Sequence, residues 1–191
     1  MTKLTIYSDL HIYSPIEMLR DEIVGIDASE TTFLTGDIVD FANAKNSELK
    51  NCENLFQHLR KKHGAKYIIG NHERKGTFDE FVVYILPDGR RVLLLHYDLQ
   101  TNREKYLAYR QKSAGAGWFK RTFIIPFIHE YEEMTDRNLG DDFKNAVLKE
   151  ALKYNCQIVI GGHRHPKELI REKYQGVDIY VVPRGKTEIY L

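Results

Sequence analysis

The chain has 191 residues, 42% of them hydrophobic and 29% charged, an ordinary globular balance rather than that of a disordered chain. Lys plus Arg number 28 against 27 Asp plus Glu, and a formal charge of +1 gives no footprint for wholesale nucleic-acid binding. Two cysteines, Cys52 and Cys156, build no disulfide framework, and no apolar run approaches the roughly 20 residues that cross a bilayer.

Residues 3–8 alternate as a strand does and stop at Asp9. Residues 15–24 read as a helix with proline in its first turn. Residues 32–35 form a short strand closed by Gly36-Asp37. Residues 48–62 place Leu49, Leu55, Phe56 and Leu59 along one helical face, and Gly64 suits the C-cap. Residues 66–69 are a strand ended by Gly70-Asn71-His72. Two runs, 81–86 and 90–95, flank Pro87-Asp88-Gly89, a hairpin turn that delivers His96 at the far end.

From 99 to 155 the pattern is helical, basic and aromatic as far as Ile128 and ordinarily amphipathic from about Asp141. Residues 157–160 form a strand closed by Gly161-Gly162-His163. Residues 177–182 and 187–191 are two last strands around 183–186. This order predicts an α/β fold, and the late hairpin and C-terminal strands predict mixed sheets. One domain over 1–191 is expected, with no internal repeat. MTKLTIYSDLH turns polar too soon for a signal peptide, so a reducing, cytoplasmic setting is expected, with both cysteines buried. His58, His63 and His129 lie in charged helical context and are expected to be solvated.

Five segments put polar groups just after a strand: Asp9-Leu-His11, Gly36-Asp37-Ile-Val-Asp40, Gly70-Asn71-His72-Glu73, Leu95-His96-Tyr97-Asp98 and Gly162-His163-Arg-His165. Ligands of open α/β sheets bind outside the carboxyl ends of strands, so these ends can share one crevice. In extended chain, i and i+2 point the same way, which pairs Asp9 with His11 and His163 with His165. Such pairs can reach two cations held ~3.5–4 Å apart, as in two-metal hydrolases. Imidazole, carboxylate and amide donors without thiolate favour manganese, with iron or zinc as alternatives, over a purely hard-ion site. Asp40 and Asp98 have two readings, orienting a ligand imidazole or capping amides at the strand end.

In this order, DLH, GDIVD, GNHE, LLHYD and GGHRH resemble the calcineurin-like metallophosphoesterases over residues 3–165. The resemblance implies a four-layer αββα sandwich of two mixed sheets with a dinuclear metal centre at the strand ends. It further implies one metal on Asp9, His11, Asp37 and His165 and a second on Asp37, Asn71, His96 and His163, with Asp37 bridging. His72 takes the place of the residue that polarises the phosphoryl group or protonates the leaving oxygen. Two divalent ions against the Asp9 and Asp37 carboxylates leave a surplus of charge. That surplus would activate a shared water as nucleophile and attract an anionic phosphate. Tyr97 stands where the family usually has glycine and would crowd the metals or a ligand unless its ring points away.

A narrower likeness covers residues 89–128. Gly89-Arg-Arg-Val-Leu-Leu-Leu-His-Tyr-Asp, with Arg103, Tyr106, Tyr109-Arg110 and Trp118, is similar to the UDP-diacylglucosamine hydrolases. In that group the segment is a helical insertion over the metals, here about residues 99–135. The likeness implies a nucleotide-sugar or other phosphorylated small-molecule substrate, with Arg103 and Arg110 as its contacts. The apolar stretch from Trp118 to Ile128 could take an acyl chain or touch a membrane surface, though packing onto the sandwich is the plainer use of most of it. The rival readings are a general phosphomonoesterase or phosphodiesterase acting on nucleotides or phosphoproteins, and a degenerate, non-catalytic scaffold.

Overall fold

The computed structural model describes residues 1–13, 26–27, 29–41, 44–70, 72–73, 81–97 and 139–191. The helix expected over 15–24 and the insertion over 99–135 lie outside them. The described elements are strand β1 (Lys3–Ser8), β2 (Thr32–Thr35), helix α1 (Leu49–His63), a 3-10 turn (Gly64–Lys66) and β3 (Tyr67–Ile68). They continue with β4 (Phe81–Ile85), β5 (Arg91–His96), α2 (Asp141–Lys153), β6 (Ile158–Gly162), β7 (Ile170–Tyr174), β8 (Val177–Val181) and β9 (Gly185–Tyr190).

The strands form two mixed sheets, ordered β3-β2-β1-β9 and β4-β5-β6-β8-β7. Beta pairing is parallel for β1 with β2 and β2 with β3, and antiparallel for β1 with β9. In the second sheet β5, β6 and β8 run parallel, while the edge strands β4 and β7 are antiparallel. Parallel strands covered on both faces need apolar side chains on both. Val92 and Leu94 of β5, Ile158 and Ile160 of β6, and Tyr180 of β8 point inward and meet Leu4, Ile6, Phe33, Ile68 and Ile189 of the first sheet. The alternate residues Leu93, Leu95, Val159, Ile179 and Val181 point outward against Phe143, Val147 and Ala151 of α2. On the opposite outer face, Tyr7, Leu34 and Tyr67 pack with Cys52 and Leu59 of α1. Three apolar layers thus separate four layers of backbone, an α-β-β-α sandwich.

Several sequence expectations change. The run 170–174 is a strand that charge concealed: Arg171 and Lys173 point to solvent on an edge, where charge discourages further pairing. The two C-terminal strands divide between the sheets, β8 in the second and β9 in the first. Leu49 is exposed, and α1 instead buries Cys52, Leu59 and His63. His63 is therefore not solvated, whereas His58 is exposed as expected. Both cysteines are buried.

Candidate metal centre

The backbone beyond β1 and β2 sets the site. After the strands end, the two chains stay paired: Asp9 N–H donates to the Gly36 carbonyl at 3.0 Å, His11 N–H to Asp37 at 2.9 Å, and Ile12 N–H to Ile38 at 3.0 Å. Leu10, Ile12, Ile38 and Val39 turn into the apolar layer under α1, which leaves Asp9, His11, Asp37 and Asp40 on the other side. Asp9, His11, Asp37, His163 and His165 all have positive φ, between 46° and 84°. Non-glycine residues avoid this region at a cost of about 1 kcal/mol or more each, and its concentration here marks a site whose surroundings over-determine it.

Close approach explains two of the motif glycines. A Cβ at Gly162 would collide with Ser8 Oγ and the Asp9 carboxylate, and one at Gly70 with the backbone and carboxylate of Asp37. The tyrosine at 97 does turn away. Its ring is fully buried on the α2 side, 5.0 Å from Phe143 and hydrogen-bonded through its hydroxyl to the Tyr180 carbonyl at 2.9 Å. A Cβ at Gly161 would lie 2.8 Å from that ring, so this glycine makes room for it.

The side chains meet in three overlapping groups whose ligand atoms lie within 4.8 Å of one another: Asp9, His11, His165; His11, Asp37, His72; and Asp37, His96, His163. Asp9 Oδ1 lies 3.0 Å from His165 Nε2, and its Oδ2 accepts the His163 N–H at 2.9 Å. Asp37 Oδ1 accepts the His72 N–H at 2.8 Å, and its Oδ2 lies 3.3 Å from His96 Nε2. Asn71, Asp98, Arg103 and Arg110 lie outside the described residues.

Proton placement tests whether these groups fit a cation. His96 Nδ1 donates to the Thr35 carbonyl at 2.8 Å, and His11 Nδ1 lies 3.3 Å from Asp40 Oδ2. A carbonyl and a carboxylate only accept, so both rings carry their proton on Nδ1 and, when neutral, present Nε2 as a lone pair. Those lone pairs face Asp37 Oδ2 at 3.3 Å and His165 Nε2 at 3.4 Å. Neutral imidazole nitrogens and carboxylate oxygens turned inward together are the donors that a divalent cation takes. The donor set fits divalent metal.

Electrostatics hold both aspartates as carboxylates, the form that binds a cation. Burial pushes Asp9 upward, but the His165 hydrogen bond and the nearby His96 outweigh it and hold the carboxyl at about 2. Burial likewise opposes Asp37 ionisation, yet His96, His72 and His11 carry its carboxyl far below the ordinary range. Burial and the neighbouring His96 push His163 down to about 3, so it stays the neutral ligand form. His72 behaves differently. Burial lowers it, but the 2.9 Å contact with Asp40 Oδ1 and the Asp37 charge raise it above the usual imidazole value. Asp40 thus touches two imidazoles, one through each oxygen.

Sequence reasoning assigned nothing to Glu73. Its buried carboxylate accepts backbone N–H groups from Asp37 at 3.1 Å, Ile38 at 2.8 Å, Val39 at 2.8 Å and Gly70 at 2.9 Å, and the Tyr67 hydroxyl. One side chain therefore ties the Gly36–Asp40 loop to the Gly70–Glu73 loop. Burial and the Asp37 charge push it up to about 7 against the pull of those donors. The only signal in the sequence was its place after Asn71-His72, since backbone donors leave no mark on residue types.

An α-β-β-α sandwich with buried aspartates and imidazoles converging at its strand ends defines a metal-dependent hydrolase. The calcineurin-like phosphoesterase family model matches residues 2–167, and the chain belongs to that family. Comparison with proteins of curated function finds no match. Among solved structures, Vacuolar Protein Sorting 29 from Cryptosporidium parvum is 12% identical with TM-score 0.50, covering 95% of this chain and 74% of that one. A conserved uncharacterized protein from Streptococcus pneumoniae TIGR4, described as a predicted phosphoesterase, is 17% identical with TM-score 0.43, covering 100% of this chain and 85% of that one. Phosphopantetheinyl Hydrolase from Mycobacterium tuberculosis is 14% identical with TM-score 0.43, covering 95% of this chain and 89% of that one. At these identities the likeness concerns the fold alone.

Proposed function

We propose that this chain hydrolyses a phosphoester or pyrophosphate bond with two divalent cations, manganese in the first place. The reading rests on the overlapping groups in which Asp9, His11, His165, Asp37, His96 and His163 bring ligand atoms within 4.8 Å of one another, with the Nδ1 bonds of His11 and His96 turning their Nε2 atoms inward. Asp9, His11 and His165 would hold one ion and His96 and His163 the other, with Asp37 shared and Asn71 completing the set. When bound, such ions lower the pKa of water and draw the charge of a phosphoryl group.

The remaining roles fall to the protein. Asp40 keeps the His11 and His72 rings in place and fixes their Nδ1 protons. With its Nδ1 held by Asp40, His72 is placed to give a proton from Nε2 to the leaving oxygen, the role of a general acid. Glu73 fixes the backbone from which Asp37 projects.

The finer reading is a nucleotide-sugar diphosphate of the UDP-diacylglucosamine kind, supported by the basic and apolar sequence from Arg103 to Ile128. There Arg103 and Arg110 would contact the diphosphate, and the apolar residues would meet an acyl chain or a membrane surface. Turnover of nitrophenyl phosphate, its bis-ester and a UDP-sugar, each with manganese and with chelator, separates these substrates. Manganese-dependent turnover of at least one is expected, and turnover that survives the chelator would contradict the proposal.

A further inference from the structure

Arg184 lies where the chain crosses between the sheets. β8 runs parallel to β6, and Val182 N–H donates to the Gly161 carbonyl at 2.9 Å, so β8 ends beside Gly162 and His163. Gly185 then opens β9 opposite Ser8, the residue before Asp9. Pro183 and Arg184 therefore span the gap between the sheets at the end where the candidate ligands gather.

The Arg184 Nε donates to the Asp9 carbonyl oxygen at 3.1 Å. That bond fixes the guanidinium at the rim of the centre, while the residue remains exposed. Its two Nη groups carry no hydrogen bond among the described residues. Arg164, between His163 and His165, is differently placed. Its guanidinium stacks over the Phe143 ring, 4.6 Å from the centroid, on the α2 side. Of these two arginines at the ligand end, Arg184 is the one with its fork unused. A planar fork held by Nε presents parallel N–H groups to two oxygens, the geometry that suits a phosphate.

We propose that Arg184 contacts the substrate, its Nη groups binding non-bridging oxygens of the phosphate presented to the metals. The inference rests on reading the site as a phosphoester hydrolase. It adds a contact in the C-terminal crossing, after the last of the five motifs.

Arg184→Gln keeps a donor for the Asp9 carbonyl but removes the charged fork, and Arg184→Lys keeps charge without the fork. Calorimetric titration of each, with manganese and then inorganic phosphate, is compared with wild type, alongside KM and kcat for nitrophenyl phosphate. Arg184→Gln should bind manganese as wild type does, while the phosphate Kd and the KM rise roughly tenfold to a hundredfold, more than kcat falls. Arg184→Lys should recover part of the loss. An unchanged phosphate Kd at full manganese load would overturn the contact. So would loss of manganese in Arg184→Gln, which would make the arginine only a brace for Asp9. Wild-type protein that binds phosphate yet hydrolyses no ester would contradict the proposed function alone, and weakened phosphate binding in Arg184→Gln would still support the contact.

Discussion

His72 and His63 are both imidazoles on or beside elements of the first sheet, and their surroundings send them opposite ways. His72 is raised by Asp40 and Asp37, and its replacement tests the acid role. His72→Ala should keep its metals and lose about 10²–10⁴-fold in kcat, measured by steady-state kinetics beside metal analysis. Loss of metal would instead place His72 among the ligands, as its grouping with His11 and Asp37 allows. His63 has 3% exposure and no partner for either nitrogen among the described residues. Burial, then Lys62 and Lys66, against a smaller pull from Asp27, push it from 6.5 to about 4. The unfolded chain therefore binds this proton near pH 6.5 and the folded chain only near 4. Stability is complete above the higher value and falls as pH drops through the window, by on the order of 2 kcal/mol after solvent screening is allowed for. Urea unfolding from pH 7 to 4 should show a steeper decline in wild type than in His63→Leu, and parallel curves would refute this. The residues that gather at the strand ends were legible in the sequence because strand ends, glycines and polar residues coincide there. His63 was not, because basic neighbours on α1 suggested solvent while the helix turns that position inward.

At the scale of elements, strands with apolar runs and the Pro87-Asp88-Gly89 hairpin were readable, because period and turn chemistry are local. The edge strand β7 was hidden by its charges, and the division of β8 and β9 between sheets depends on pairing partners far away in the chain. The Glu73 clamp was hidden for a related reason, since four of its donors are backbone amides. Glu73→Gln replaces one accepting oxygen with an amide that donates toward those same N–H groups. It should lower stability by about 1–3 kcal/mol and weaken manganese binding, read from the urea midpoint and from titration. An unchanged midpoint with unchanged affinity would show that the loops do not need the clamp.

Across the whole molecule, the sandwich brings aspartates and imidazoles from positions 9 to 165 to one end of two sheets. It also gathers the buried carboxylates of Asp9 and Asp37 with imidazoles that can turn to a cation. Metal should therefore stabilise the fold strongly. At manganese a hundredfold above its Kd, a gain of about 2.7 kcal/mol is expected, several degrees in Tm for a chain of this size, and chelator should reverse it. No shift on adding manganese, cobalt or zinc would mean that the pocket takes none of them. Among the described residues, no helix is long and apolar enough to cross a membrane.

The most direct test is the metal stoichiometry of wild type and Asp37→Ala, measured by manganese titration with elemental analysis. Two equivalents per wild-type chain, and loss of both with activity when Asp37 is replaced, is the expected result. A wild-type chain that binds none or only one, or an Asp37→Ala variant that still holds two, would contradict a paired centre bridged by Asp37.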